Sequence, residues 1–168
     1  MDLKSLAAAR LAGRPWAIAP GRLEGLLGSA VSLASGAGMP SWLQEAMRPQ
    51  GYTVTDSGIA IVPVLGPLVA RGDWLTTLLG ASEYGTVADV VRAAANDPAV
   101  RGVLLEVDSP GGEVGGLFDL VEEVASIRAR CDKPLWTVAS ECALSAAYAI
   151  ASVAGRLYVT RTGEVGSV

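Results

Sequence analysis

Two short segments of the sequence contain residue types that could carry out acyl-transfer chemistry. Residues 109–112 (SPGG) form a glycine-rich turn after an apolar run at 103–107, and residues 141–145 (ECALS) end in a serine before a run of small residues. Ser145 is placed to act as an attacking hydroxyl at the start of a helix. Backbone N–H groups of a glycine turn and of a helix N-terminus can stabilise the oxyanion that develops in such a reaction.

Both segments also have an ordinary structural interpretation. Ser-Pro-Gly-Gly sequences are common in turns, and a serine near the start of a helix is usually a cap. Ala146 and Ala147 are small enough for a substrate carbonyl to approach the backbone. Spacing alone therefore leaves catalysis and plain turn formation as open alternatives.

The sequence contains no histidine, which restricts the base that could activate a nucleophile. A Ser-His-Asp triad, a Cys-His pair and every histidine-containing zinc site are excluded within this chain. Lysine is the usual substitute, because burial or a cationic neighbour can lower its pKa. Of the two lysines, Lys4 and Lys133, the second precedes Pro134 at the predicted start of a strand, at the opposite end from Ser145. We therefore interpret Lys133 as a surface residue.

Composition and charge favour a single α/β domain and argue against several other classes of protein. The 168 residues are 51% hydrophobic and 18% charged, which is enough for a buried core. The net charge is -4 and the arginines are scattered, which disfavours nucleic-acid binding. Apolar stretches at 59–70 and 142–155 are shorter than the ~20 residues of a membrane helix. Residues 26–39 have the small residues typical of the end of a signal peptide, but they lie too far into the chain and no basic region leads into an apolar run, so we reject export. Cys131 and Cys142 are expected to be reduced.

A repeating pattern of strands and helices positions the two segments. Residues 59–64 predict a buried strand, and Thr86 with Asp89 predicts a capping box at the start of a helix. Residues 103–107 form the next predicted strand, and a helix is expected to resume directly after the glycine turn. The predicted core-facing stripe of that helix comprises Val114, Leu117, Phe118, Val121, Val124 and Ala125.

The pattern continues with a predicted strand at 135–139, a small-residue helix at 144–154 and a strand at 156–160. Short connections between strands and helices imply parallel pairing through right-handed crossovers, with helices covering the sheet. Both segments then lie at the edge of the sheet where open α/β folds place their sites. Residues 1–50 are interpreted as an N-terminal arm or lead-in, and residues 51–168 as the domain.

Four sequence motifs resemble those of a known family. They are residues 58–67 (GIAIVPVLGP), 103–114 (VLLEVDSPGGEV), 145–152 (SAAYAIAS) and 162–168 (TGEVGSV). In this order they look like the serine peptidases that include signal peptide peptidase A and the phage head-maturation proteases. The phage branch is the closer match, because residues 14–23 (RPWAIAPGRL) resemble its lead-in.

The resemblance implies a Clp protease/crotonase type of fold, with repeated β-β-α units and a mostly parallel sheet flanked by helices. It implies that Ser145 is the nucleophile and that the N–H groups of Gly112, Gly111 and Ala146 form the oxyanion hole. It also implies a lysine general base a few tens of residues beyond the Gly-Ser-Val segment, and so beyond Val168. We therefore expect the chain as given to be a C-terminally incomplete, inactive part of a Ser-Lys peptidase.

The same likeness implies partners and a location. The expected function is phage prohead or capsid maturation, with cleavage of scaffold or capsid-associated polypeptides and of the protease itself. The expected location is the procapsid in the host cytoplasm, with bacterial cytoplasm as the alternative. A homo-oligomer is expected, with neither nucleic acid nor membrane as a partner. No metal or other cofactor is implied, since the sequence has no phosphate-binding loop or ligand cluster.

Three other functions remain open on the sequence. A signal peptide peptidase-like bacterial protease would use the same site. Glu113 and Glu141 flank it and would suit a crotonase-type acyl-CoA enzyme that works by acid-base chemistry. A non-catalytic capsid scaffold component would keep the fold only for assembly. Within the site, Cys142 is interpreted as a buried thiol without a base, and Asp108 as a residue that caps the turn.

Overall fold

The structure is a computed structural model that describes residues 15–18, 25, 51–72 and 80–167. Its elements form a larger, mostly parallel sheet, a smaller second sheet and helices packed with the larger sheet in one core. In chain order they are β1 (Trp16–Ile18), β2 (Thr53–Val54), β3 (Ile59–Leu65), β4 (Leu68–Val69), β5 (Ser82–Glu83), α1 (Tyr84–Asn96), β6 (Gly102–Ser109), β7 (Gly111–Glu113), α2 (Leu117–Arg130), β8 (Leu135–Leu144), α3 (Ala146–Ala151), β9 (Arg156–Val159) and β10 (Glu164–Gly166).

The larger sheet has the strand order β10-β8-β6-β3-β2, with β9 also paired to β8. Its strands are parallel except for β2, which runs antiparallel to β3. Strand β3 contains Pro63 and runs on to Leu65. Proline is tolerated there because β2 pairs only as far as Ile61, so that side of β3 has no neighbour in the described sheet at Pro63.

Burial alternates along the strands and defines the face that meets the helices. In β3 the even-numbered residues from Ala60 to Val64 are buried, and in β6 Leu105 and Val107 are fully buried. These β-branched and aliphatic side chains suit a half-buried pleated surface. They pack in one core with buried side chains of the three helices, namely Val87, Val91, Ala94, Leu117, Leu120, Val124, Ile127, Ala146, Ala147 and Ile150.

The smaller sheet has the strand order β1-β7-β4-β5 and includes the two glycines of the turn in β7. The chain leaves β6 at Ser109, passes Pro110 and enters β7 at Gly111. In this sheet β4 runs parallel to both β5 and β7, whereas β1 runs antiparallel to β7. The sheet therefore carries the turn residues between a lead-in strand on one side and β4 on the other.

The predicted capping box at Thr86 is wrong. Helix α1 begins at Tyr84, its N-cap is Glu83, and no side chain caps it. The helix starts earlier because β5 pairs with β4 and runs directly into it, which places Thr86 inside the first turn. The predicted end of the helix before Asp97 and Pro98 is confirmed.

The predicted helix directly after the glycine turn is also wrong, because β7 intervenes and α2 begins only at Leu117. Gly116 precedes it with a left-handed φ of 81°, a conformation that interrupts helical geometry. The core-facing stripe of α2 therefore differs from the predicted one. Phe118 is 64% exposed, and Val114 and Ala125 also face solvent. The buried positions of α2 are Leu117, Leu120, Val124 and Ile127.

Strand β8 is longer and helix α3 shorter than the sequence predicts. Residues 141–144 continue the strand, because β10 pairs in parallel with Cys142 to Leu144, and α3 occupies only Ala146–Ala151. The predicted strands at 59–64, 103–107 and 156–160 are confirmed within a residue or two. Among the described residues, none of the helices combines the length and the apolar character needed to cross a lipid bilayer. The helices predicted before residue 51 lie outside the described residues.

Candidate active site

Ser145 occupies the junction between β8 and α3 in an unusual backbone conformation. Its φ is 51° and its ψ is −114°, and it is one of two non-glycine residues of the described chain with a positive φ. A side chain in this region strains the backbone, and such strain persists only where the surroundings enforce it. The junction turns the chain sharply from strand to helix and leaves Ser145 half-buried.

The fourth sequence motif holds Ser145 in this conformation. The Ser145 N–H donates a hydrogen bond to the Gly166 carbonyl at 2.7 Å, one step beyond the parallel pairing of Leu144 with Gly166. The Ser145 carbonyl accepts a hydrogen bond from the Ala149 N–H at 3.0 Å and so begins α3. Both backbone groups of Ser145 are therefore engaged, and its own N–H is not available to an oxyanion.

The glycine turn and the serine junction meet in the structure. Ser109 pairs with Ala143 across β6 and β8, which sets the two segments side by side. Gly111 has a φ of 107°, and a Cβ on it would lie 3.0 Å from the Leu144 carbonyl oxygen. The turn backbone thus approaches the residue that precedes Ser145 so closely that only glycine fits.

Gly112 is packed as tightly from the other side. A Cβ on Gly112 would lie 2.0 Å from the Leu68 carbonyl oxygen of β4. The N–H of Gly111 donates to the Ser109 Oγ at 3.2 Å and so already has a partner. Ala146, the third predicted donor, is fully buried at the first position of α3.

Glu113 and Tyr84 support the strand that carries the two glycines. Glu113 is only 2% exposed, and its Oε2 accepts a hydrogen bond from the Ala70 N–H at 3.0 Å. The Tyr84 hydroxyl donates to the Glu113 carbonyl at 2.5 Å. Burial, and secondarily the negative charge of Glu113, raises the pKa of the Tyr84 phenol above its ordinary value. Tyr84 is not among the site residues predicted from the sequence, because nothing in its local pattern signals a partner 29 residues away.

The remaining polar candidates lie around the site in different roles. Cys142 is buried, and its Sγ donates to Asp108 Oδ1 at 3.4 Å, while Glu141 is exposed. Lys133 precedes the start of β8, and its Nζ donates to the Asp97 carbonyl at 2.6 Å, so it stands at the opposite end of the ten-residue strand from Ser145. Over residues 51–72 and 80–167, no group of three or more cysteine and acidic side chains is arranged to hold a metal ion.

Comparison with known proteins finds two phage proteins that resemble this chain in sequence. The chain is 41% identical over 121 residues to the capsid assembly protease C of Escherichia phage lambda, and 39% identical over 127 residues to the head-tail preconnector protein GP5 of Enterobacteria phage P21. These matches cover 72% and 76% of this chain. About three quarters of this chain is homologous to these phage proteins. The resemblance to the phage branch that the motifs predicted is confirmed.

The matches cover only a small part of each relative. The chain spans about a quarter of the length of each phage relative, 27% of the lambda protein and 25% of the P21 protein. A shorter match, 36% identical over 72 residues, links it to a signal peptide peptidase SppA of Enterococcus faecium, covering 43% of this chain and 21% of that protein. No family model matches the chain.

Solved structures confirm the fold class. An enoyl-CoA hydratase/isomerase from Mycobacterium abscessus superposes on 70% of this chain and 50% of its own, with a TM-score of 0.52 and 16% identity. A sequence identity of 16% supports a shared fold and nothing about function. The crotonase type of α/β fold, with a mostly parallel sheet flanked by helices, is therefore established for this homologue of the phage proteins.

Proposed function

We propose that this chain is the nucleophile-bearing part of a serine endopeptidase that acts in phage capsid assembly. The observation that carries the proposal is Ser145, held with a φ of 51° at a strand-to-helix junction against the Gly111 turn. The homology to a capsid assembly protease supports the same reaction class. Ser145 is the nucleophile, and the N–H groups of Gly112 and Ala146 are the principal oxyanion donors.

In the proposed reaction Ser145 Oγ attacks the carbonyl carbon of an extended polypeptide, and its proton passes to a general base. The carbonyl oxygen becomes an oxyanion that accepts hydrogen bonds from the backbone donors, which need no reorganisation as the charge develops. The C–N bond then breaks, and the base returns the proton to the leaving amine. Water hydrolyses the acyl-enzyme ester by the same route. Gly111 is a weaker donor because its N–H is directed to Ser109 Oγ.

The base in this proposal is a lysine of the whole protease and not Lys133. Lys133 is engaged with the Asp97 carbonyl at the far end of β8 and cannot reach Ser145, because a ten-residue strand spans roughly 30 Å. The family resemblance implies that the lysine follows the Gly-Ser-Val segment. We therefore expect the 168-residue chain by itself to show no peptidase activity.

The proposed substrates are scaffold or capsid-associated polypeptides in the procapsid, together with the protease itself. Homology to a capsid assembly protease and to a head-tail preconnector supports this assignment. Assembly of several copies belongs to the same proposal. Exposed apolar side chains support it, among them Trp136, Tyr158 and Val159 on neighbouring strands, each 40–43% exposed.

The acyl-CoA alternative is weaker because of the two carboxylates it would need. Glu113 is buried and its carboxylate accepts the Ala70 N–H, a bond that ties β7 to the end of β4. Glu141 is exposed to solvent. Because the Glu113 carboxylate is engaged in this structural contact, it is a poor candidate for proton transfer to a substrate, and the solved relative supports the fold and not that reaction.

The test inserts this chain into a complete protease. In a chimera, the chain replaces its matching segment in the capsid assembly protease of phage lambda, and intact-mass analysis follows self-processing and cleavage of the phage scaffold. The chimera is expected to process, and its Ser145→Ala variant is expected not to. Ser152→Ala is the matched control, because the Ser152 hydroxyl donates to the Ala149 carbonyl on the exposed side of α3.

The same experiment separates the alternatives. The 168-residue chain alone is expected to keep its full mass. Processing by the Ser145→Ala chimera would overturn the proposed nucleophile. A chimera that folds and assembles but never cleaves would favour the scaffold function. Loss of a hydratase activity in Glu141→Gln, with Ser145→Ala unaffected, would favour the acyl-CoA enzyme.

A further inference from the structure

Strand β1 lies against the strand that carries the candidate oxyanion donors. Trp16, Ala17 and Ile18 pair antiparallel with Glu113, Gly112 and Gly111, respectively. All three β1 residues are half-buried, and Ala17 packs against the core. A segment distant in sequence, from the N-terminal lead-in, therefore occupies the free side of β7 beside the site.

The approach is closest at the glycine turn. A Cβ on Gly111 would lie 2.2 Å from the Ala17 carbonyl oxygen and 3.0 Å from the Leu144 carbonyl oxygen. The Ala17 carbonyl and the residue before Ser145 thus crowd the same glycine. An extended chain in the β1 position passes immediately beside the nucleophile junction.

The hydrogen-bond pattern specifies which groups face each other. The Val114 N–H donates to the Pro15 carbonyl at 3.0 Å, so Pro15 and Val114 form a hydrogen-bonded position of the antiparallel ladder. Such positions alternate along an antiparallel pair, and the next one is Ala17 with Gly112. The Gly112 N–H, assigned above to the oxyanion hole, is therefore directed at the Ala17 carbonyl.

We propose that the Trp16–Ile18 segment is an internal pseudo-substrate, which occupies the strand position of an extended polypeptide substrate and must leave before that substrate binds. The inference rests on the proposed peptidase function and adds to it the mode of substrate recognition. Adding a strand to a sheet edge is a general way to bind extended peptides, with affinity from main-chain hydrogen bonds and specificity from side-chain pockets. In this chain the added strand is the chain's own.

The occupant also defines the class of peptide that the site takes. Ala17, opposite Gly112, is partly buried and packs against the hydrophobic core. The flanking residues Trp16 and Ile18 are large and apolar. The site therefore selects an extended segment with a small residue at the Ala17 position and bulky apolar residues on both sides of it.

Release of β1 is expected to raise the affinity for a peptide supplied in trans. The probe is a fluorescently labelled octapeptide with the sequence of residues 14–21 (RPWAIAPG), and the readout is fluorescence anisotropy with the 168-residue chain. If the cis segment is bound for 90–99% of the time, freeing the site raises the apparent affinity about ten- to a hundredfold. Ala17→Pro removes the Ala17 N–H from the ladder and is expected to produce this gain.

Two further variants control for misfolding. Ala17→Gly keeps the N–H and is expected to retain the weak binding of the parent chain. The double substitution Trp16→Lys with Ile18→Lys keeps the backbone groups but removes the apolar contacts, so it is also expected to release β1. It replaces Ala17→Pro as the test variant if Ala17→Pro unfolds the chain. A peptide with glutamate at the Ala17 position is expected not to bind any variant.

The outcomes distinguish this inference from the proposed function. Unchanged peptide affinity together with a lower melting temperature in the β1 variants would overturn the pseudo-substrate and make β1 a permanent strand of the sheet. Tighter binding of the peptide by these variants, with no Ser145-dependent cleavage by the lambda chimera, would support the peptide site and reject the peptidase. Ser152→Ala, on the exposed side of α3, is expected to bind the peptide as the parent chain does.

Discussion

The Ser145 N–H donates to the Gly166 carbonyl, so the residue that follows β8 remains attached to the neighbouring strand β10. This bond explains why a short motif far along the chain belongs to the site. Gly166 itself has a φ of 120°, which directs its carbonyl in a way that other residues rarely permit. The positive φ of Ser145 is thus imposed by tertiary pairing and not by its own preference.

Because glycine relieves this strain, the stability order of the glycine and alanine variants is expected to be opposite at Ser145 and at Ser152. Ser145→Gly is expected to be more stable to urea than Ser145→Ala by about 1 kcal/mol, because glycine accepts φ 51° without cost. Ser152, with φ −69° and ψ −16°, is the control, and there glycine is expected to be less stable than alanine. Equal stability of the two Ser145 variants would show that this backbone is not strained.

The glycines of the turn predict a sharp contrast in tolerance to a methyl group. Gly112→Ala would place a Cβ 2.0 Å from the Leu68 carbonyl oxygen, which forces a shift of backbone. We expect a loss of about 1–3 kcal/mol in the free energy of unfolding. Gly115→Ala, with no atom within 4 Å of its Cβ, is expected to change stability by less than about 0.5 kcal/mol.

The same pair of variants tests the oxyanion hole. Cleavage by the lambda chimera is expected to fall with Gly112→Ala and to be retained with Gly115→Ala. Alanine keeps the N–H at position 112, so the expected loss comes from displacement of that donor by the added methyl group. Full chimera activity of folded Gly112→Ala would contradict this displacement.

The Tyr84 hydroxyl is expected to support the glycine strand in a pH-dependent way. Tyr84→Phe leaves the buried Glu113 carbonyl without this donor and is expected to cost about 1–3 kcal/mol at pH 7. Because folding raises the pKa of the phenol, its contribution is complete below the ordinary value of about 10 and is lost as pH rises toward the raised one. Urea unfolding at pH 7 and pH 10.5 should therefore show the gap between parent and variant narrowing at the higher pH. A gap that widens there would contradict this sign.

The orientation of α2 predicts which of two large side chains, Leu120 or Phe118, contributes to the stability of the core. Leu120 is 3% exposed, and Leu120→Ala is expected to lower the free energy of unfolding by about 2–5 kcal/mol. Phe118 is 64% exposed, and Phe118→Ala is expected to change it by less than about 0.5 kcal/mol. Thermal or urea denaturation of both variants checks the assignment. Similar losses in the free energy of unfolding for the two variants would show that Phe118 belongs to the core.

The local pattern of apolar residues predicts a strand or helix correctly where that element packs only one face against the core. The β-branched runs at 59–64 and 103–107 form strands as predicted, because alternation of apolar residues in a pleated strand needs only a covering layer. The same logic fails at α2. Its apolar residues suit more than one helical register, and the left-handed Gly116 decides which register is used.

The sequence by itself determined which chemistry is open to this chain. The absence of histidine excludes a histidine base, the glycine turn and Ser145 supply candidate groups, and the four ordered motifs identify the phage relatives. These conclusions need only residue identity and order.

Only the tertiary structure decided how those groups meet. Cys142 to Leu144 become strand because β10, supplied from further along the chain, pairs with them, and Ser145 takes its strained conformation as a result. Likewise, β1 reaches Gly112 across more than ninety residues of sequence, and Tyr84 reaches Glu113 across 29. Hydrogen bonds between distant segments depend on the three-dimensional register of strands, which no local pattern of side chains encodes.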